Sequence, residues 1–215
     1  MPRAVLFDLD GTLLDTLQDI ADSVNAVLSQ ERLTPHAVEA YKRYVGDGME
    51  RLVERAFPPE LLRGAGSERV LSLVRAEYSK RLDVRTRPYP GVDRLLDGLA
   101  ARGIPAAILS NKPQELTVET VKKHLGRWKF GAVLGAAAGG PFKPDPAGAR
   151  WAAKAVGVAP SDFLYLGDTA TDMKTAVAAG MYPVGALWGF RDAEELRSAG
   201  ARVLIAAPED LLGLL

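Results

Sequence analysis

The stretch Ala4-Val5-Leu6-Phe7-Asp8-Leu9-Asp10-Gly11-Thr12 decides the fold that we predict for this chain of 215 residues. Residues Ala4 to Phe7 are all apolar, a continuous run typical of a parallel strand that is buried on both faces. Asp8 and Asp10 follow, and Gly11 indicates a sharp turn. The stretch predicts either two carboxylates at the carboxyl end of a strand, where open α/β sheets bind ligands, or a turn that only caps the next helix.

The pattern changes twice along the rest of the chain. Between residues 15 and 85, apolar residues recur at three- and four-residue spacing, which predicts helices and no strand. One of these helices is expected to begin at Thr34-Pro35 and to run to about Val45. From Pro88 onward, predicted strands alternate with helices, which indicates a parallel sheet with right-handed crossovers.

These patterns predict an α/β fold with two parts. Residues 1–14 and 86–215 are expected to form a Rossmann-like parallel sheet core with helices on both faces. Residues 15–85 are expected to form an inserted all-helical cap domain.

Composition excludes several classes of function. Lys+Arg and Asp+Glu both total 27, so no basic excess favours a nucleic-acid partner. The chain has no Cys, which excludes a thiolate nucleophile, a Cys-based metal site and a disulfide framework. No apolar run approaches the length of a membrane span, and the first strand follows Met1-Pro2-Arg3 directly, which predicts no signal peptide. We therefore expect a soluble cytoplasmic protein, a monomer or homodimer, with no membrane partner.

Polar residues follow four of the predicted core strands. In chain order they are Asp8 and Asp10, then Ser110-Asn111-Lys112, then Lys143 after a loop, and then Asp168 and Asp172. Because all parallel strands end at the same edge of a sheet, these side chains are expected to converge in space.

The charges of this group predict a metal ion. Asp8, Asp10, Asp168 and Asp172 would repel one another unless positive charge lay between them, and Lys143 supplies only one unit. Hard oxygen ligands without His or Cys select Mg²⁺, which commonly shares carboxylates with a substrate phosphate. We therefore predict a Mg²⁺ site at these four aspartates and a small phosphorylated metabolite as substrate.

The same residues suggest a mechanism. Asp8 is positioned to attack phosphorus and to form an aspartyl-phosphate, while Asp10 suits a general acid and base. Ser110 and Lys143 are expected to bind and stabilise the phosphoryl group.

Two segments are less clear. Asn111, with Lys112, either binds substrate or merely starts a helix. Gly48, within Gly46-Asp47-Gly48, belongs either to a substrate-binding loop over the site or to a plain turn between helices.

Four motifs together resemble the haloacid dehalogenase superfamily. They are Asp8-Leu-Asp10-Gly11-Thr12, Ser110-Asn111-Lys112-Pro113, Lys143-Pro144-Asp145-Pro146 and Gly167-Asp168-Thr169-x-x-Asp172. Further segments are similar to its phosphoglycolate phosphatase branch: Val45-Gly46-Asp47-Gly48, Tyr89-Pro90-Gly91-Val92 and Trp188-Gly189-Phe190.

The resemblance implies a phosphatase with Asp8 as nucleophile and Asp10 as acid and base. It also implies Mg²⁺ held by the Asp8 carboxylate, the Asp10 backbone carbonyl and Asp168, with Asp172 supporting the metal site.

Other activities stay open at this point. The same core could serve a pyrophosphatase, a nucleotidase, a sugar-phosphate phosphatase or mutase, or a catalytically idle binding protein. A panel of substrates discriminates among these alternatives.

Overall fold

The computed structural model describes residues 2–82, 84–137 and 140–215. Its strands are β1 (Ala4–Phe7), β2 (Leu14–Asp15), β3 (Arg87–Pro88), β4 (Ala106–Pro113), β5 (Ala132–Ala136), β6 (Phe163–Gly167), β7 (Tyr182–Ala186) and β8 (Val203–Ile205). Its α-helices are α1 (Leu17–Gln30), α2 (Tyr41–Tyr44), α3 (Met49–Ala56), α4 (Gly66–Arg81), α5 (Val92–Ala101), α6 (Gln114–Leu125), α7 (Ala147–Val156), α8 (Ala170–Ala179) and α9 (Ala193–Ser198). Short 3₁₀ helices cover Val38–Ala40, Pro160–Asp162 and Pro208–Leu214.

The main sheet has the strand order β5-β4-β1-β6-β7-β8 among the described residues, and every pairing in it is parallel. The strand β1 lies inside the sheet, with Phe7 opposite Ile108 on β4 and Leu166 on β6. Parallel neighbours need crossover connections, and the helices between the strands provide them. The predicted α/β fold class is confirmed.

Both faces of the sheet are covered, which explains the unbroken apolar run of β1. Side chains alternate along a strand, so Val5 and Phe7 join one apolar cluster with residues of α5 and α6. Ala4 and Leu6 join a second cluster with residues of α7 and α8. Burial on two faces therefore removes the polar alternation of a strand with one exposed face.

The helical segment, residues 15–85, carries α1 to α4 and an apolar cluster of its own, to which Phe190 is added. The chain leaves the core through β2 and returns through β3, and these two strands pair antiparallel. The segment therefore begins on a strand residue, Asp15, where we expected no strand. The buried Asp19 carboxylate accepts hydrogen bonds from the Arg85 and Thr86 backbone N–H groups and from the Thr86 hydroxyl, at 2.7–3.0 Å, so α1 is tied to the returning chain.

The predicted helix at Thr34-Pro35 begins later than expected, because helical structure starts only at Val38. The Asn25 side chain explains the difference. Its oxygen accepts a hydrogen bond from the His36 backbone N–H, and its amide nitrogen donates to the His36 carbonyl, both at 2.9 Å. A contact from α1 thus takes the His36 carbonyl, which a helix beginning at Thr34-Pro35 would have used.

Two further details of the core were not predicted from the pattern. The helix α9 follows β7, and β4 continues beyond Leu109 to Pro113. No helix among the described residues is both long and apolar enough to span a membrane.

Candidate active site

Asp8 is the first residue beyond β1, and the sheet holds its backbone in place. Its N–H donates to the Leu166 carbonyl at 2.9 Å, and its Oδ1 accepts a hydrogen bond from the Leu9 N–H at 2.7 Å. The chain then turns at Gly11, which has φ +88°; a Cβ there would lie 2.4 Å from an oxygen of Asp168. Only glycine permits both this backbone conformation and the close approach of the two motifs.

Lys143 joins residues that are far apart in the sequence. Its Nζ lies 2.8 Å from Asp8 Oδ1 and 2.6 Å from Asp172 Oδ1, and its side chain is only 2% exposed. Burial alone would lower the pKa of Lys143, but Asp172 and Asp8 raise it well above its ordinary value. The ammonium therefore stays charged between two buried carboxylates.

Asp172 lies in the first turn of α8 and caps that helix. Its Oδ2 accepts hydrogen bonds from the Thr169 N–H at 3.1 Å and the Thr169 hydroxyl at 2.6 Å, in a capping box. Its Oδ1 accepts from Lys143 and, at 3.3 Å, from the Tyr165 hydroxyl. Helix capping and site formation thus use the same carboxylate.

Asp168 is fully buried directly after β6. Its Oδ1 accepts a hydrogen bond from the Thr12 hydroxyl and its Oδ2 from the Phe190 N–H, both at 2.8 Å. Burial raises the pKa of Asp168 to about 7 and Asp172 adds to the rise, although the bonds from Phe190 and Thr12 oppose it.

The carboxylates of Asp8, Asp168 and Asp172 form a group with oxygens within 4.8 Å of one another. Burial, Asp172 and Asp168 raise the pKa of Asp8 well above its ordinary value, against the effect of Lys143. When ionised, three buried carboxylates beside one ammonium carry an excess of negative charge, and hard oxygen donors fit a divalent cation such as Mg²⁺.

The Asp10 side chain is not part of this group of carboxylates. Its Oδ1 faces the ammonium of Lys112 at 3.0 Å. Coordination of a metal by the Asp10 backbone carbonyl stays a prediction.

Ser110 lines the same cavity as Asp8, Asp10 and Lys143 and is buried. Its Oγ accepts a hydrogen bond from the Lys112 N–H at 3.2 Å, which leaves the hydroxyl proton for another acceptor. Its role in phosphate binding stays a prediction.

Asn111 connects three parts of the chain. Its Oδ1 accepts from the Lys143 N–H at 2.8 Å, and its Nδ2 donates to the carbonyls of Lys143 at 3.0 Å and Gly46 at 3.2 Å. These three contacts of the Asn111 side chain are all with protein backbone, and its contact with substrate stays a prediction. Gly48, which has φ +92° and directly precedes α3, lines the cavity together with Gly46 of the same turn.

The helical segment covers this edge of the sheet through contacts that the sequence did not reveal. Thr171 on α8 donates a hydrogen bond to Asp47 at 2.6 Å, and Arg191 donates to the carbonyls of Val45, at 2.9 Å, and Lys42. The glycine-rich turn at 46–48 was the signal in the sequence for this loop, but its partners were not readable there.

The site cavity lies between the helical segment and the ends of β1 and β4, with a volume of about 70 Å³. Its polar wall carries Asp8, Asp10, Ser110, Lys112 and Lys143. Its apolar wall comes from the helical segment, at Ile20, Val24, Val45, Met49, Leu52 and Val74.

Comparison with known proteins agrees with this fold. The family model described as haloacid dehalogenase-like hydrolase matches residues 5–186. A phosphoglycolate phosphatase of Neisseria gonorrhoeae is 34% identical over 214 residues, covering 96% of this chain and 91% of the relative. One from Pseudomonas putida is 32% identical and covers 100% of this chain and 79% of the relative. The fold also superimposes on the crystal structure of a protein from Lactobacillus delbrueckii subsp. bulgaricus with a TM-score of 0.90. The two sequences are 28% identical, and the superposition covers 100% of this chain and 98% of the Lactobacillus protein.

The chain therefore belongs to the haloacid dehalogenase-like hydrolase family. The resemblance predicted from the four motifs is confirmed, as is the predicted enzyme class, a hydrolase.

Proposed function

We propose that the chain is a Mg²⁺-dependent phosphatase that hydrolyses a small phosphomonoester, phosphoglycolate first, through an aspartyl-phosphate on Asp8. The observation that carries the proposal is the convergence of Asp8, Lys143 and Asp172 from three parts of the chain. The Lys143 ammonium lies within 2.8 Å of both carboxylates, and the Asp168 carboxylate belongs to the same group. The relatives named phosphoglycolate phosphatase support the choice of substrate.

Asp8, Asp168 and Asp172 would hold the Mg²⁺ ion, together with the Asp10 carbonyl. When bound, the ion would neutralise phosphate charge and favour the ionised form of the buried carboxylates.

The residues of the chain divide the chemistry among them. Asp8 attacks phosphorus, and the bond from phosphorus to the leaving oxygen breaks. Asp10 donates a proton to that oxygen and then takes a proton from the water that hydrolyses the acyl phosphate. The phosphoryl group in transfer is stabilised by Lys143, which Asp172 holds in place, and by the hydroxyl of Ser110. Catalysis of phosphoryl transfer depends mainly on positioning and electrostatic stabilisation.

We also propose that residues 15–85 act as a cap domain over a core of residues 1–14 and 86–215. The separate apolar cluster of the helical segment supports this division. A cap that contacts the core through Asp47 and Arg191 would exclude water during phosphoryl transfer. A cavity of about 70 Å³ between this cap and the core fits a small leaving group.

Phosphate release from a panel of phosphomonoesters, with Mg²⁺ and with EDTA, tests the proposal. We expect phosphoglycolate to rank first in kcat/KM, and Asp8→Asn to lower kcat by at least about 1,000-fold. Asp93→Asn makes the same chemical change on the exposed face of α5 and should retain activity. Undiminished turnover by Asp8→Asn would remove the proposed nucleophile, and a nucleotide or pyrophosphate ranking first would replace the proposed substrate.

A further inference from the structure

Lys112 is a second buried cation in the wall of the site cavity. Its side chain is 3% exposed, and its Nζ lies 3.0 Å from Asp10 Oδ1. The same ammonium donates a hydrogen bond to the hydroxyl of Tyr78 and lies 4.7 Å from the centre of that ring. Tyr78 is a buried residue of α4, so the helical segment holds a lysine of the core strand β4.

The two lysines of the cavity have different surroundings. Lys143 contacts two carboxylates, those of Asp8 and Asp172, whereas Lys112 contacts one carboxylate and a neutral phenol. An ammonium group has three protons to donate, and the contacts between described residues use two of those on Lys112. A further anion in the cavity would therefore complete the hydrogen bonds and the charge around Lys112.

The place of Lys112 relative to Asp10 identifies the part of a substrate that it would meet. In the proposed reaction Asp10 protonates the leaving oxygen, so the rest of the leaving group lies beside Asp10. The Lys112 ammonium is 3.0 Å from that carboxylate. In a phosphorylated 2-hydroxy acid, the carboxylate carbon is two bonds from the leaving oxygen, within reach of the ammonium.

Apart from the hydroxyls of Ser23 and Tyr78, the described residues of the helical segment offer no polar side chain to the cavity. The cavity wall from the helical segment is largely apolar, with Val24, Met49, Leu52 and Val74 among its residues. A carboxylate buried against that wall without a partner would be strongly disfavoured. A charged hydrogen bond with Lys112 would remove that penalty for a carboxylate, whereas a neutral leaving group would leave the lysine proton unused.

We propose that Lys112, positioned by Tyr78, is the specificity-determining residue that binds a carboxylate on the leaving group of the substrate. This inference rests on the proposed phosphatase function and assigns its preference for phosphorylated 2-hydroxy acids to one side chain. Tyr78 is a positioning residue in this proposal, since its hydroxyl accepts a hydrogen bond from the Lys112 ammonium.

The test compares two esters with the same two-carbon skeleton, phosphoglycolate and 2-hydroxyethyl phosphate, in the wild-type enzyme and in Lys112→Gln. Both values of kcat/KM should fall in the variant, because Asp10 loses its ion pair. The value for phosphoglycolate should fall about 10- to 100-fold further, as expected for a lost hydrogen bond between charged groups. Tyr78→Phe keeps the ring and should lower the preference for phosphoglycolate by about 2- to 10-fold, mainly through KM.

Lys122→Gln is the matched control, because Lys122 is an exposed lysine on the helix that follows β4. It should preserve the preference for phosphoglycolate. If Lys112→Gln lowers both values equally, Lys112 only orients Asp10 and the inference is overturned.

A binding measurement separates this inference from the proposed function. Isothermal titration calorimetry on Asp8→Asn should show tighter binding of phosphoglycolate than of 2-hydroxyethyl phosphate, and the difference should disappear in Asp8→Asn/Lys112→Gln. A wild-type enzyme that hydrolyses neither ester would contradict the proposed function, yet this difference in affinity would still support the carboxylate site. Equal affinities of Asp8→Asn for the two esters would overturn the carboxylate site whatever the enzyme hydrolyses.

Discussion

Replacement of Lys143 by Met tests whether the buried ion pairs hold the three motifs together. The ammonium lies 2.8 Å from Asp8 and 2.6 Å from Asp172, in a side chain that is 2% exposed. Removing one member of a buried ion pair leaves an uncompensated charge and typically costs about 3–5 kcal/mol. For a chain of this size we expect the free energy of unfolding to fall by that amount in EDTA, and Tm to fall by about 6–20 °C.

Urea unfolding followed by tryptophan fluorescence measures this loss, and a double-mutant cycle identifies its cause. In the wild-type protein, Lys143→Met leaves the carboxylates of both Asp8 and Asp172 without their partner. In an Asp172→Asn background, it leaves only that of Asp8. The loss caused by Lys143→Met should therefore shrink by about 2 kcal/mol, a coupling typical of residues in direct contact. Lys174→Met is the matched control on the exposed face of α8 and should change stability by less than about 0.5 kcal/mol.

Equal losses in the two backgrounds, within about 0.5 kcal/mol, would refute the reasoning. That result would mean that Lys143 stabilises the fold independently of the charge on Asp172. A loss as small as that of the control would show that the buried charges find other compensation.

Three more perturbations follow from particular contacts. Asp19→Ala removes the acceptor for the Thr86 N–H and hydroxyl, and should lower the free energy of unfolding by about 3 kcal/mol in urea; a loss below about 1 kcal/mol would contradict the anchoring role. Burial alone would raise the pKa of Asp47, but hydrogen bonding, first from Thr171, lowers it below 3.8. The stabilisation by Asp47 is therefore present above the pKa of this group in the unfolded chain, and it is lost as the pH falls through the lower pKa of the folded protein. The free energies of unfolding of the wild-type protein and Asp47→Asn should therefore converge on acidification. A difference that stays constant with pH would contradict this. Mg²⁺ at 100 times its Kd should stabilise the wild-type protein by about 2.7 kcal/mol in thermal unfolding. A stabilisation of equal size in Asp168→Asn would argue against a Mg²⁺ site at Asp8, Asp168 and Asp172.

The convergence of the site was predictable because it depends on a topological rule rather than on side-chain packing. Apolar runs followed by polar residues indicate parallel strands, and parallel strands end at one edge of a sheet. That rule alone places Asp8, Lys143 and Asp168 near one another. The capping role of Asp172 was not predicted; it depends on the capping box that Asp172 forms with Thr169 at the start of α8.

The contacts of Asn111 show where prediction from sequence ended. The spacing indicated a polar residue at a strand end, but it could not reveal that its amide joins Gly46 to Lys143. The same is true of the helix expected at Thr34-Pro35, because the competing contact comes from Asn25 on another helix. Both outcomes depend on residues that are distant in the chain.

The amino-acid sequence by itself determined the parallel sheet, the inserted helices and the carboxylates at the strand ends, because hydrophobic periodicity and turn residues act over short distances along the chain. Only the tertiary structure decided which side chains of the helical segment meet the core, such as Tyr78 with Lys112 or Asp47 with Thr171. The rotation of each helix and its distance from the sheet result from the packing of many apolar side chains at once, and no local pattern encodes that sum.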